Sequence, residues 1–205
     1  MIPLRDSHPA GIFPFWVVVI IAINIYVFFL EITSFNIEVF IGEFALIPNL
    51  VDFNKWQTLQ PFITSQFLHG GFLHIISNML FLWVFGDNVE AYFGKFFFPI
   101  FYILAGAAGG LAQYFFIPDS NIPMLGASGA VAGVLGVYFV LFPKSSIKTL
   151  IPIFGFVSIV EIPAGVMLIY WFITQLFSGT ASIVTASASL GGVAFFAHIG
   201  GFIFG

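Results

Sequence analysis

Six long apolar runs, at residues 12–30, 72–91, 96–116, 128–142, 163–177 and 191–205, constrain this chain more than any other feature. An α-helix rises 1.5 Å per residue, so about 20 apolar residues cross the hydrocarbon core of a bilayer. In lipid the backbone must satisfy its own hydrogen bonds, which leaves helices or a closed barrel, and runs of this length select helices. The sequence therefore predicts an all-α, multi-pass integral membrane protein with six spanning helices. The sixth run ends near full apolarity without a polar flank, so it reads as a truncated last helix. Composition agrees. Charged residues make up 7% of the chain, against roughly a quarter in soluble domains, and Phe alone accounts for 30 residues. That much aromatic surface needs lipid to face. A net charge of -4 offers no basic face for nucleic acid, and the lack of Cys rules out disulfides and thiolate metal ligands.

Residues 1–11 carry Arg5, Asp6 and His8 ahead of the first run. A basic start before an apolar stretch also suits a signal peptide, but no small-x-small cleavage site follows, and the run reads as a retained helix. Arg5, Lys95, Lys144 and Lys148 fall on the side of the N-terminus and only Lys55 falls opposite. Lys and Arg stay on the cytoplasmic side, so residues 1–11 are expected to be cytoplasmic and residues 12–205 to form the membrane domain. The segment 31–66 interleaves Glu31, Glu38, Glu43 and Asp52 with aromatic residues and is expected to lie in the outer interface. Residues 147–160, broken by Pro152 and Gly155, read as an interfacial hairpin or a bent lead-in to the fifth helix.

With that topology the second, fourth and sixth helices begin at the outer surface, and their opening turns hold the polar residues that could do chemistry. His74 and Asn78 stand four apart on one helix face, both hydrogen-bond donors aimed at one point. Such residues also bridge helices structurally, but beside a nucleophile they suit an oxyanion. Ser128 lies in Gly126-Ala127-Ser128-Gly129, where flanking glycines permit a tight turn and free backbone N–H groups. A helix-start serine is commonly a cap; an exposed one can be a nucleophile. His198 precedes Gly201 and Gly205, a small-residue face. Ser128, Ala132 and Gly136 make a matching stripe, so close helix contact could bring Ser128 Oγ to the imidazole. An ionisable residue at membrane depth is by default a functional suspect. No carboxylate is placed to complete a triad, and Glu90 and Glu161, near the inner helix ends, read as structural. A zinc site from His69, His74 and His198 is conceivable but leaves Ser128 and Asn78 unexplained.

Taken in order, His69-Gly70-Gly71-Phe72-Leu73-His74-Ile75-Ile76-Ser77-Asn78, then Gly126-Ala127-Ser128-Gly129-Ala130, then Ala197-His198-Ile199-Gly200-Gly201 resemble the helix-two, helix-four and helix-six signatures of rhomboid proteases. The resemblance runs from about residue 64 to 205. It takes in Val89-Glu90 with Gly94, and Glu161-Ile162-Pro163-Ala164 with Trp171 and Gln175. It implies a six-helix bundle around a water-filled cavity, Ser128 as nucleophile and His198 as general base. His74, Asn78 and the Ser128 backbone N–H become the oxyanion donors, with no cofactor or metal. The implied substrates are transmembrane helices of other proteins, cleaved in a bilayer, in a prokaryotic plasma membrane by the orientation above. Two departures bear on the site. Gln60-Pro61 stands where some members carry a Trp-Arg pair that seats the outer loop, and Ala132 replaces an aromatic that stacks on the catalytic histidine in some relatives. A catalytically inactive relative that escorts membrane proteins is the main alternative, opposed by the intact Ser128 and His198. A small-solute transporter is the other, opposed by the lack of an internal repeat.

Overall fold

The computed structural model describes residues 1–8, 10–153, 156–184 and 194–205. Helix α1 covers Phe15–Thr33, and α2 (Ile37–Phe44), α3 (Trp56–Leu59) and α4 (Pro61–Thr64) follow as short turns of helix. The long α5 runs Phe72–Phe116, then α6 (Ser128–Leu141), α7 (Ala164–Val184) and α8 (Phe195–Phe204) complete the helical set. Three strands, β1 (Ile2–Asp6), β2 (Ser146–Ile153) and β3 (Phe156–Pro163), form one antiparallel sheet in the order β1-β2-β3.

Two helices among the described residues, α1 and α5, are long and apolar enough to cross a membrane; α6 and α8 are shorter. The expectation of six separate spans differs from this count in part because α5 contains two of the runs. Gly94 joins them with φ 73° and ψ 169°, a left-handed conformation that glycine adopts without a Cβ clash, so the helical path breaks there into two limbs. α8 begins at Phe195, and residues 191–193 of the expected sixth helix lie outside the described residues.

The sheet corrects the all-α reading. Residues 147–160 do turn back as a hairpin, but an extended one, with Ile147 opposite Ile162 and Lys148 opposite Glu161. β-branched residues such as Val157, Ile159 and Val160 favour strand over helix. Glu161 therefore sits in β3 and not at the end of the fifth helix, which starts after Pro163. β1 extends the hairpin by pairing Ile2 with Leu150 and Arg5 with Lys148. Asp6 at its end accepts hydrogen bonds from the Tyr138 hydroxyl at 2.6 Å and from Asn88 Nδ2 at 2.7 Å, clasping β1 to α5 and α6.

Glu90 has the structural part assigned to it. Its two carboxylate oxygens each accept from an N–H in the first turn of α1, Trp16 and Val17, both at 2.9 Å. Those amides have no partner within the helix, and a carboxylate also complements the positive helix end. The core lies between α1, both limbs of α5 and α6, with Phe85 edge-on to Tyr138 and Tyr102 fully buried.

The segment 31–66 is folded. Leu46 bridges to Met124, Asn49 N–H donates to Ser120 O, and Thr64 Oγ1 donates to Phe44 O. Gln66, buried, donates to Phe62 O and Ile103 O, and Gly126 N–H donates to Ser65 O. These bonds seat the segment against α5 and the mouth of α6 without a Trp-Arg pair. Glu31, expected in the loop, is instead buried in the last turn of α1, where its carboxylate accepts from the His69 N–H at 2.9 Å.

Candidate active site

Ser128 is the first residue of α6, and Ala127 before it has helical φ and ψ with no side-chain cap bond. The hydroxyl is thus not engaged as the N-cap of its own helix, and the first-turn N–H groups around it lack intrahelical acceptors. Gly126, at φ 121°, makes the turn into this helix. A Cβ there would stand 2.7 Å from the His74 ring and 3.7 Å from Asn78 Nδ2, so only glycine lets the main chain lie this close to both side chains.

His74 and Asn78 enter from the first two turns of α5. His74 meets His69 edge-on at 5.1 Å between ring centroids, while Asn78 is buried and its Nδ2 has no hydrogen-bond partner. A buried amide nitrogen left unpaired carries a desolvation cost of about 1–3 kcal/mol, which an acceptor arriving in the cavity would relieve.

His198 comes from the first turn of α8, which begins at Phe195. Its Nδ1 lies 2.8 Å from Gln175 Oε1, and its ring lies 5.8 Å from that of Trp171, tilted by 34°. Both partners belong to α7. Trp171 thus supplies the aromatic neighbour that Ala132 does not.

What holds α8 to α6 is backbone contact. A Cβ on Gly201 would fall 2.0 Å from Gly129 O, one on Gly205 would fall 2.0 Å from Gly133 O, and one on Gly136 would fall 2.2 Å from Phe202 O. The seam is therefore Gly129, Ala132, Gly133 and Gly136, and Ser128 lies beside it. Consecutive residues are about 100° apart on a helix, so this leaves Ser128 facing the cavity. On its other side α8 meets the second limb of α5, where a Cβ on Gly109 would lie 2.6 Å from Ala197 O.

The four candidates share one cavity of about 670 Å³, lined by His74, Asn78, Ser128 and His198 together with Gly70 and Trp171. His69 does not line it: its ring is fully buried and neither ring nitrogen has a partner. Among the described residues no three His, Asp or Glu side chains gather to hold a metal. Sequence reasoning named Gln175 only within the resemblance and did not place it beside His198.

The described residues thus bring a serine and a histidine from two closely packed helices, and two further polar side chains from a third, onto one cavity. Residues 55–205 match the family model of the Rhomboid domain, and the chain belongs to the rhomboid family, whose members are integral to membranes. It is 36% identical over 126 residues to the Rhomboid protease GluP of Bacillus subtilis, covering 60% of this chain and 24% of that protein. It is 32% identical over 176 residues to the RHOMBOID-like protein 12, mitochondrial, of Arabidopsis thaliana, covering 77% and 51%. Rhomboid protein 1, mitochondrial, of Saccharomyces cerevisiae is 38% identical over 89 residues, covering 42% and 26%. The chain thus spans a quarter to a half of the length of these relatives.

Proposed function

We propose that this protein is an intramembrane serine endopeptidase that cleaves transmembrane segments of other membrane proteins. The observation that carries the reading is the single cavity shared by Ser128, His198, His74 and Asn78, contributed by three helices. Ser128 Oγ attacks the substrate carbonyl carbon while its proton passes to His198 Nε2. The carbonyl electron pair moves to oxygen, and the resulting oxyanion accepts hydrogen bonds from His74, Asn78 and the Ser128 N–H. Collapse expels the amine, which takes the proton from the imidazolium and leaves an acyl-enzyme. Water, deprotonated by the same imidazole, then releases the acid and restores Ser128.

The membrane domain, residues 12–205, has six spans in this reading, with the two limbs of α5 as separate crossings. The sheet supports it. β1 pairs with β2, so residues 1–11 and the connection between α6 and α7 share a side, as four intervening crossings require. Arg5 and Lys148 meet there, which supports reading it as the cytoplasmic side, with the cavity toward the outer leaflet of a prokaryotic plasma membrane.

The test uses purified full-length protein and a model transmembrane substrate, read on a gel. Ser128→Ala, His198→Ala and the double variant should each abolish most cleavage, with the double hardly worse than either single, because nucleophile and base act as one unit. A fluorophosphonate should label wild type at Ser128 and fail to label His198→Ala. Persistent cleavage by folded Ser128→Ala would end the proposal.

A further inference from the structure

Among the described residues no carboxylate completes a triad with Ser128 and His198, yet the imidazole is held. We propose that Gln175 is the positioning residue of the base, a neutral amide in the place a triad gives to an acid, assisted by Trp171 one helical turn before it. The inference rests on the reading of His198 as general base.

The hydrogen-bond chain fixes which end of the amide faces the histidine. Thr174 Oγ1 donates to Trp171 O at 2.6 Å and so has a lone pair free to accept. Gln175 Nε2 stands 3.3 Å from that Oγ1 and 3.5 Å from Trp171 O, and a carbonyl oxygen can only accept. The nitrogen end of the amide therefore points back along α7, and the oxygen end points at His198 Nδ1, 2.8 Å away. An amide oxygen accepts, so Nδ1 must carry the proton. The lone pair then lies on Nε2, the nitrogen that must receive the proton of Ser128. Trp171 lies beside the ring, tilted by 34° with 5.8 Å between centroids.

The choice of an amide has a physical reason. An ionised carboxylate at this depth costs several kcal/mol in desolvation, and His198 pays it back only while it is protonated. Gln175 offers the same acceptor geometry with no charge to bury, at the expense of less stabilisation for the imidazolium. Trp171 and Gln175 share one face of α7, and a turn further on Gly179 lies against α8 closely enough that a Cβ would stand 3.4 Å from Phe195 and Phe196. The orientation of the base thus depends on α7 lying flush against α8.

Three variants of the full-length protein test this: Gln175→Leu, Gln175→Met and Gln175→Glu. Loss of the acceptor in Leu or Met should lower kcat roughly ten- to a hundred-fold with KM little changed. Glu keeps an acceptor and should rescue turnover. Its charge favours the imidazolium, so the acid limb of its pH–rate profile should move to higher pH. In protein labelled with ¹⁵N-histidine, His198 should show a protonated Nδ1 and a bare Nε2 in wild type, and a mixture in Gln175→Leu. Unchanged kcat and unchanged nitrogen shifts in Gln175→Leu would overturn the proposal, as would a Glu variant no better than Leu. Failure of wild type to cleave or to react with fluorophosphonate would instead strike the protease reading, and the nitrogen shifts would still decide the Gln175 contact.

Discussion

Gly201→Ala adds one methyl group where α8 crosses α6. The new Cβ would lie 2.0 Å from Gly129 O and 2.9 Å from Gly129 C, against the 3.4 Å at which ordinary contact begins. Both obstacles are main chain, so no side chain can swing aside, and the helices must part by more than 1 Å. Overpacking of this kind costs about 1–3 kcal/mol in stability. The larger effect falls on chemistry, because His198 stands three residues from the substitution and Ser128 flanks its contact. A displacement of about 1 Å in a reacting group costs on the order of a hundred-fold in rate. The assay is kcat for a transmembrane substrate, with thermal unfolding in the same detergent. Gly42→Ala in α2 is the control: its Cβ meets nothing within 4 Å, so it should leave kcat unchanged. Wild-type kcat in Gly201→Ala, with stability intact, would refute the claim that backbone contact sets the spacing of serine and histidine.

Alanine at His74 or Asn78 should lower kcat by about ten-fold to a thousand-fold with little change in KM, checked by steady-state kinetics, as expected of donors that act in the transition state. Single cysteines at Asp119 and Lys144 should differ in intact cells, an impermeant reagent labelling the first and sparing the second. Tyr138→Phe removes the bond to Asp6 and should cost about 1.5–3 kcal/mol, seen as a lower melting temperature and faster proteolysis within residues 1–8. Burial pushes the Asp6 carboxyl above its ordinary value of 3.8, opposed by the Tyr138 hydrogen bond. The folded state therefore binds the proton more tightly than the unfolded state, so stability should fall as pH rises from about 4 through the raised value. Asp6→Asn should flatten that slope in pH-dependent unfolding.

The sequence made legible whatever depends on local composition: the apolar runs, the helix starts at Phe72 and Ser128, and the polar residues at those starts. It was less informative wherever a partner far along the chain decides the outcome. The strand character of residues 2–6 has no local signature strong enough to announce it; pairing with residues 147–150 creates it. The seam between α6 and α8 was expected through Ser128, Ala132 and Gly136; Ala132 and Gly136 lie in it together with Gly129 and Gly133, while Ser128 stands beside it. Small residues stand on both faces of that helix, and only the docking of α8 chooses between them. Gln175 and Trp171 were visible as residues but not as the neighbours of His198, since the position of α7 relative to α8 is a tertiary fact.

The clasp of β1 has a consequence for the order in which the chain assembles. Ile2 pairs with Leu150, and Asp6 receives the hydroxyl of Tyr138. On a ribosome the first strand is made early but has no partner until more than a hundred further residues have emerged. Closing so long a loop is entropically costly and kinetically late. Residues 2–6 therefore dock long after they are synthesised. Their docking reports that α5 and α6 have already come together, and an assembly arrested earlier would leave this strand open to proteases.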